Sequence, residues 1–547
     1  MKKITLLAII VSTLSLTGYA GGLLTNANQS AQYVRMLSRN ASTQIDAVYF
    51  NPAGLIKLND GWHFALHNQS IFQTKTVESY FPLLNDGKYE GKVEAPVFPS
   101  AFAVYKKENW AFSLGFGPNG GGGSADFDRG LPSFEIPISK VVPGLAGLSA
   151  LGYNVTGYNA DLSFEGSSVF WGIQAGATYK VSDMVSVYGG VRYLPSTNAY
   201  TGSIKDISLQ VGGQTQNAKT FLTGASATVK TLANGATAAA SSLQPLVVGG
   251  AGSYTLAQVQ GQGYISAAQK AQLEAGLQGL GLSPAQIAAI TVEQAQGVFT
   301  SGAFSLNTTS ASLAETATML DNKEVDTKQT GAGWTPILGA NFSPAENLNI
   351  TVKYEFETKL TLTNETKVDD LGLFPNNEKS QSDLPAILTF GAGYKPLAWL
   401  ETQLSYNLYF DKGVDWGKNI RDLAVWKNVD PTKIRQREID HNYWELALGL
   451  QFNLSDRFAL SVGGLRSAAG IAESYQSDFS YSNPSYTGAL GFQWKINDQL
   501  TFDAGLMNSF YEDKEVSYTD PDVGNYKDKL GKTTTGVAFG LSYSIFK

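Results

Sequence analysis

The residues able to do acid–base or nucleophilic chemistry are few. Only His63, His67 and His441 carry an imidazole, and there is no cysteine in 547 residues. That excludes a thiol nucleophile, a disulfide, a lipoprotein cysteine and a cysteine-based metal site. His63 and His67 share one face of an extended strand, and with Ser70 nearby they could serve an outer-membrane lipase. No Gly-x-Ser-x-Gly elbow accompanies them, and a polar ladder lining a lumen explains the same spacing. Gly120 to Gly123 form a glycine run, but no Gly-Lys-Ser/Thr follows, so a phosphate loop is not supported. Asp520-Pro521-Asp522-Val523-Gly524-Asn525 could offer oxygens to calcium. It lacks the downstream glutamate of an EF-hand and reads as a solvated acidic turn. The expectation is therefore no catalytic residue, no metal and no cofactor.

The elements that would position any site point elsewhere than to a soluble enzyme. Charged residues make up 16% of the chain, aromatics 12%, and there are 57 glycines. A mean hydropathy of -0.11 is too polar for a bundle of membrane helices. The net charge of -7 provides no basic face for nucleic acid. Lys2 and Lys3, an apolar run from Ile4 to Leu16, and Gly18-Tyr19-Ala20 form an export signal, with cleavage expected after residue 20. The apolar run falls short of the roughly 20 residues a spanning helix needs. No later stretch supplies one, and strands cross a bilayer only as a closed barrel.

From Trp62 onward, segments alternate apolar and polar residues with period two. Trp62, Phe64 and Leu66 alternate with His63, Ala65 and His67; Val169, Trp171, Ile173, Ala175, Ala177 and Tyr179 alternate with small or polar residues. The last strand carries Val537, Phe539, Leu541, Tyr543 and Ile545. About fourteen such strands are legible, joined alternately by short turns and long loops. The expected architecture is all-β: a transmembrane antiparallel barrel over residues 62–547. Two long connections stand out, Pro118 to Gly166 and a larger insert over 195–333. In the insert, Ser266-Ala-Ala-Gln269 and Ser283-Pro284-Ala285-Gln286 look like helix starts. Their apolar side either traps greasy ligands at the surface or buries itself within its own hairpin.

The mature start, residues 21–61, has no strand of its own and precedes the first one. A barrel of this size leaves a lumen that such a segment could fill. Within it stand Ser38-Arg39-Asn40-Ala41-Ser42-Thr43 and Ala47-Val48-Tyr49-Phe50-Asn51-Pro52-Ala53-Gly54-Leu55. The region resembles the FadL family of outer-membrane transporters for long-chain fatty acids and other hydrophobic compounds, also known as OMPP1/FadL/TodX. The Asn51-Pro52-Ala53-Gly54 stretch matches that family's hatch motif. The resemblance implies a fourteen-stranded barrel with an N-terminal hatch in its lumen. It also implies a third strand kinked inward, leaving a lateral gap. Here that strand ends Leu114-Gly115-Phe116-Gly117-Pro118-Asn119-Gly120; Gly115 and Gly117 permit a bend and Pro118 cannot donate to a ladder.

The mechanism implied is passive. Apolar loops catch a hydrophobic molecule, it diffuses into a pocket, a movement of the hatch loosens that pocket, and the molecule leaves through the gap into the bilayer. For a carboxylate ligand, inward-facing Arg192 and Lys353 are the candidate cations, with an ion pair to Glu355 or Glu357 as the alternative. Expected partners are fatty acids or aromatic and alkane compounds, outer-membrane lipids with lipopolysaccharide, and the barrel assembly machinery. The expected state is a monomer, without nucleic acid, in the outer membrane of a Gram-negative bacterium. A general porin, a surface adhesin and a lipase remain the competing readings.

Overall fold

The computed structural model describes residues 25–414, 416–417, 439–473, 476–479 and 481–546. The export signal expected over residues 1–20 lies outside them. The chain divides into two compact units: Met1–Lys140, Asp161–Ile204 and Lys323–Lys547 form one, Val141–Ala160 and Lys205–Asn322 the other.

The first unit is a closed antiparallel barrel of 14 strands. They are β1 Gly61–Ser79, β2 Lys88–Lys107, β3 Trp110–Phe127, β4 Val155–Lys180, β5 Val185–Val211 and β6 Lys323–Ala345. β7 runs Leu348–Glu355 and resumes as Thr361–Asp369, both parts against β6. β8 combines Lys379–Ser382 with Ile387–Leu397, and β9 combines Leu400–Tyr409 with Trp416–Gly417. β10 Tyr443–Asn453, β11 Phe458–Ala468 and β12 Ser485–Lys495 follow. β13 is Leu500–Tyr511 continued by Lys514–Asp520, and β14 is Gly524–Phe546. β14 pairs with β1 from Gly61↔Phe546 to Ser79↔Asp528, which closes the ring.

Each alternating segment read from the sequence falls on one of these strands, and the phase is as expected except on β2, where the apolar Phe102 and Val104 point inward and are buried with Val48 and Leu55. Trp62, Phe64 and Leu66 are exposed while His63, Ala65 and His67 are buried; Leu114, Leu338, Leu448, Leu490 and Phe539 are likewise exposed. A continuous outward apolar belt on a closed ladder is what a barrel spanning a bilayer requires. The inward face is polar and buried: Gln69, Ser100, Gln174, Thr178, Ser186, Asn341, Thr351, Gln451 and Asp503 all lie on it. The strands outrun the belt. β3 continues to Phe127, helix α3 (Pro132–Ser139) follows, and β4 begins at Val155, so much of the connection expected from 118 to 166 is strand.

In the second unit Gln214–Asn217 pairs back on Ser208–Val211. Five helices follow: α4 Ala218–Leu246, α5 Leu256–Gly261, α6 Ala267–Gly279, α7 Pro284–Ala289 and α8 Val292–Met319. Ser266 with Gln269 and Ser283 with Gln286 close capping boxes. Leu273, Leu277, Ile287 and Ile290 are buried in the unit's own core with Val259 and Phe299. The apolar side of these helices is thus spent within the unit.

Candidate functional site

The N-terminal segment carries two helices, α1 (Ala31–Met36) and α2 (Ala47–Phe50), and a 3-10 turn over Pro52–Lys57. Ser30 caps α1 by accepting the Tyr33 N–H at 3.0 Å, and every residue of α1 is buried. α1 packs on β10 to β14. Glycines on the inward face make the seat: a Cβ at Gly449, Gly491 or Gly505 would come within 2.6 Å of Met36 or Arg35 atoms. The seat is also charged. Arg35 reaches Asp503 at 2.9 Å and Gln451 at 2.8 Å and also bonds Ser461.

Within the segment, Arg39 makes a two-point contact with Asp46 at 2.7 and 2.8 Å. Burial pushes the Asp46 carboxyl up, but the Arg39 guanidinium and the Ser42 hydroxyl outweigh it and hold it below its ordinary value. The Asn-Pro-Ala-Gly stretch then tethers segment to wall. The Asn51 amide donates to Ser42 O at 2.9 Å and to Asn341 Oδ1 on β6 at 2.8 Å. Pro52 opens the 3-10 turn, where a missing N–H costs nothing. Thr178 donates to Pro52 O and Ser186 to Ala53 O, each at 2.7 Å. Gly54 leaves room for the Asn51 side chain, since a Cβ would sit 2.3 Å from its Nδ2.

Arg192 and Lys353 are brought together, around Glu355. Arg192 reaches it at 2.6 Å and also bonds Gln174 Oε1 at 2.7 Å; Lys353 reaches Glu355 at 2.6 Å and Tyr49 O at 2.7 Å. Both cations lie under 5 Å from the centroid of the Tyr49 ring, at 4.8 and 4.9 Å. As placed, they form an internal ion triad that anchors α2.

The wall beside this anchor is broken: Gly117 and Asn119 line one small crevice with Tyr49 and Arg192. β2 pairs with β3 at Lys92↔Asp126 through Glu94↔Ser124, then only from Ala101↔Phe116. Residues 95–100 and 117–123 face one another unpaired. Against β4, β3 slips register between Pro118 and Gly120 and again between Gly121 and Gly123. Gly121 and Gly122 take φ of 66° and 115°, a region that favours glycine. Carbonyls stranded by the break need other donors, and the N-terminal segment supplies them. Asn26 Nδ2 donates to Gly121 O at 2.7 Å, Gln29 Nε2 to Pro118 O at 2.9 Å and the Asn26 N–H to Asn119 O at 2.7 Å. Ser100 on β2 donates to Gln29 O at 2.6 Å. Gly117 is in the break. Gly115 is regularly paired on both sides, to Phe102 and Gln174. These two glycines make room: a Cβ at 115 would meet Val48 at 3.0 Å, and one at 117 would meet Gln29 Oε1 at 2.6 Å.

Above the segment lies a cavity of about 430 Å³, lined in part by Asn26, Tyr33, Lys75, Phe98, Gly122, Glu445 and Lys532. Phe164, Tyr200 and Phe479 are shared with a small apolar crevice of about 40 Å³ that also touches Phe134, Leu373 and Phe374. Phe134, Phe164 and Phe479 meet edge to face at 5.1–5.8 Å between ring centroids.

The residues weighed for catalysis do not assemble. Ser70 donates to Pro96 O at 2.9 Å, whereas among the described residues neither ring nitrogen of buried His67 has a hydrogen-bond partner. His63 is held by Ser544 and Asn59. In the acidic turn, the Lys140 ammonium bonds Asp520 and lies 3.2 Å from Asp522, so a cation already fills it. No group of ligands fit for a metal ion is found among the described residues.

No protein-family model and no curated protein matches the sequence. Among solved structures the chain is similar to the P. putida toluene transporter TodX, at 13% identity and a TM-score of 0.47, over 92% of this chain and 95% of that one. It is also similar to a FadL homologue of Pseudomonas aeruginosa, at 12% identity and a TM-score of 0.54, over 96% of this chain and 99% of that one. The chain therefore shares its barrel fold, along almost its whole length, with a FadL homologue.

Proposed function

We propose that the chain is a FadL-family transporter, a passive outer-membrane conduit for hydrophobic compounds such as long-chain fatty acids. On this reading residues 1–20 direct export, residues 21–61 are the hatch, and 195–333 is an extracellular insert. The barrel assembly machinery inserts it as a monomer among lipids and lipopolysaccharide. The ligand lodges first in the aromatic crevice and passes Phe164, Tyr200 and Phe479 into the cavity. It then leaves sideways between β2 and β3 into the bilayer. Each methylene kept from water contributes about 0.8 kcal/mol, so binding in the cavity must be loosened for release, and no catalytic step is involved. One observation supports the reading: the stretches 95–100 and 117–123, unpaired with each other, are bridged from inside by Thr25, Asn26 and Gln29 of the N-terminal segment, which form no barrel strand. A general porin is disfavoured because the lumen is filled with buried side chains of the N-terminal segment.

The test uses the absence of native cysteine. Thr25 and Gly120 form an isolated antiparallel bridge, a spacing that suits a disulfide. In T25C/G120C, oxidation should suppress fatty-acid uptake by cells and reductant should restore it. Equal uptake by the oxidised and reduced forms would refute release through the seal.

A further inference from the structure

One feature of the cavity is not explained by packing. Lys75 on β1 and Lys532 on β14 are register partners, directly opposite each other, and both line the cavity. Like charges so placed repel. Among the described residues neither has a carboxylate within ion-pair distance, although Lys527 and Lys529 on the same strand each have one. Their neighbours are aromatic rings. Lys75 Nζ lies 5.6 Å from the Tyr481 centroid and Lys532 Nζ 4.0 Å from that of Tyr511. Among the described residues the only acid lining the cavity is Glu445, and its oxygens already accept from Asn407, Tyr409 and Tyr443 at 2.9–3.1 Å. Two adjacent ammonium groups in a concave, partly shielded site, with no carboxylate at ion-pair distance among the described residues, form a receptor for an anion. The same cavity reaches Val93, Ala95 and Phe98, on or beside the unpaired stretch of β2. Phe98 is buried against Gly122, where a Cβ would fall 2.4 Å from its ring.

Resting on the transport reading, we propose that Lys75 and Lys532 hold the carboxylate of an amphiphilic ligand and lay its apolar body toward Phe98 and the gap. The pair selects acids over neutral hydrocarbons of the same shape. Arg192 and Lys353, engaged with Glu355, do not contribute to this choice.

The test measures binding of 4-octylbenzoate and of its neutral analogue 4-octylbenzyl alcohol to the full-length protein in lipid nanodiscs. Wild type should bind the acid more tightly than the alcohol. In K75M/K532M the acid-to-alcohol affinity ratio should fall roughly tenfold or more, the loss of charge-assisted hydrogen bonds. K75R/K532R should restore the ratio. An unchanged ratio in the methionine variant, with both ligands still bound, would overturn the lysine assignment while leaving the transport reading intact. Wild-type protein that binds neither ligand would overturn both.

Discussion

At the scale of single residues, Asn51 joins three things with one amide: the turn that follows it, the Ser42 carbonyl and the β6 wall at Asn341. Asn51→Ala would leave the buried Asn341 oxygen and the Ser42 carbonyl short of a donor, a loss of about 1–3 kcal/mol. The expected outcome is faster amide exchange across residues 40–55 with barrel protection unaltered. The Arg39–Asp46 pair gives a pH signature. Asp46 titrates below its ordinary value in the folded segment. Its contribution is therefore complete above the unfolded value of about 3.9 and is lost as pH falls through the lower folded one. Amide protection of residues 39–50, corrected for intrinsic exchange, should hold steady from neutrality to about pH 4 and fall below it. Asp46→Asn should lower that protection at neutral pH and flatten the acid limb. Equal acid limbs in both proteins would place the sensitivity at another carboxylate.

At the scale of elements, β3 is where sequence and structure part company most usefully. The alternation of Phe112, Leu114 and Phe116 is enough to assign its outward face, and all three side chains are exposed. The break itself was legible only in outline. Gly115, Gly117 and Pro118 were the visible signals, yet Gly115 is paired on both sides and the positive φ values fall on Gly121 and Gly122. A glycine placed for clearance and a glycine placed for a bend look identical in one sequence; only the atoms of Val48 and Gln29 tell them apart. The glycine seat under α1 is illegible for the same reason. Replacing Pro118, Gly121 and Gly122 together by valine removes the φ > 0 positions and restores an N–H to the ladder. The amides of Ala95, Val97, Phe98 and Ser100 should then gain exchange protection and uptake should fall to background. Protection gained without loss of uptake would show that the ligand leaves by another route.

At the scale of the whole molecule, the hydrogen-bond ladder and the lumen filling are separable. Closure depends on β1 and β14, paired along 19 residues of β1. The N-terminal segment packs on the inward strand face and, among the described residues, adds no strand to the ring apart from the single Thr25 bridge. The long polar ends of the strands were hard to foresee because beyond the apolar belt both faces meet polar surroundings and the period-two contrast fades. That a strandless segment could occupy the lumen is legible from its length and place before β1, but its seat is not, since Arg35 meets Asp503 and Gln451 only once distant strands are assembled. Deleting residues 25–58 should therefore leave a folded barrel whose inward Arg192, Lys353, Glu355 and Asp503 regain water. That wall is already hydrophilic, so the emptied lumen should conduct ions. In planar bilayers the full-length protein should be nearly silent and the deletion variant should open porin-like channels. Equal conductance of the two, with the variant shown to be folded, would mean that the segment does not close the lumen.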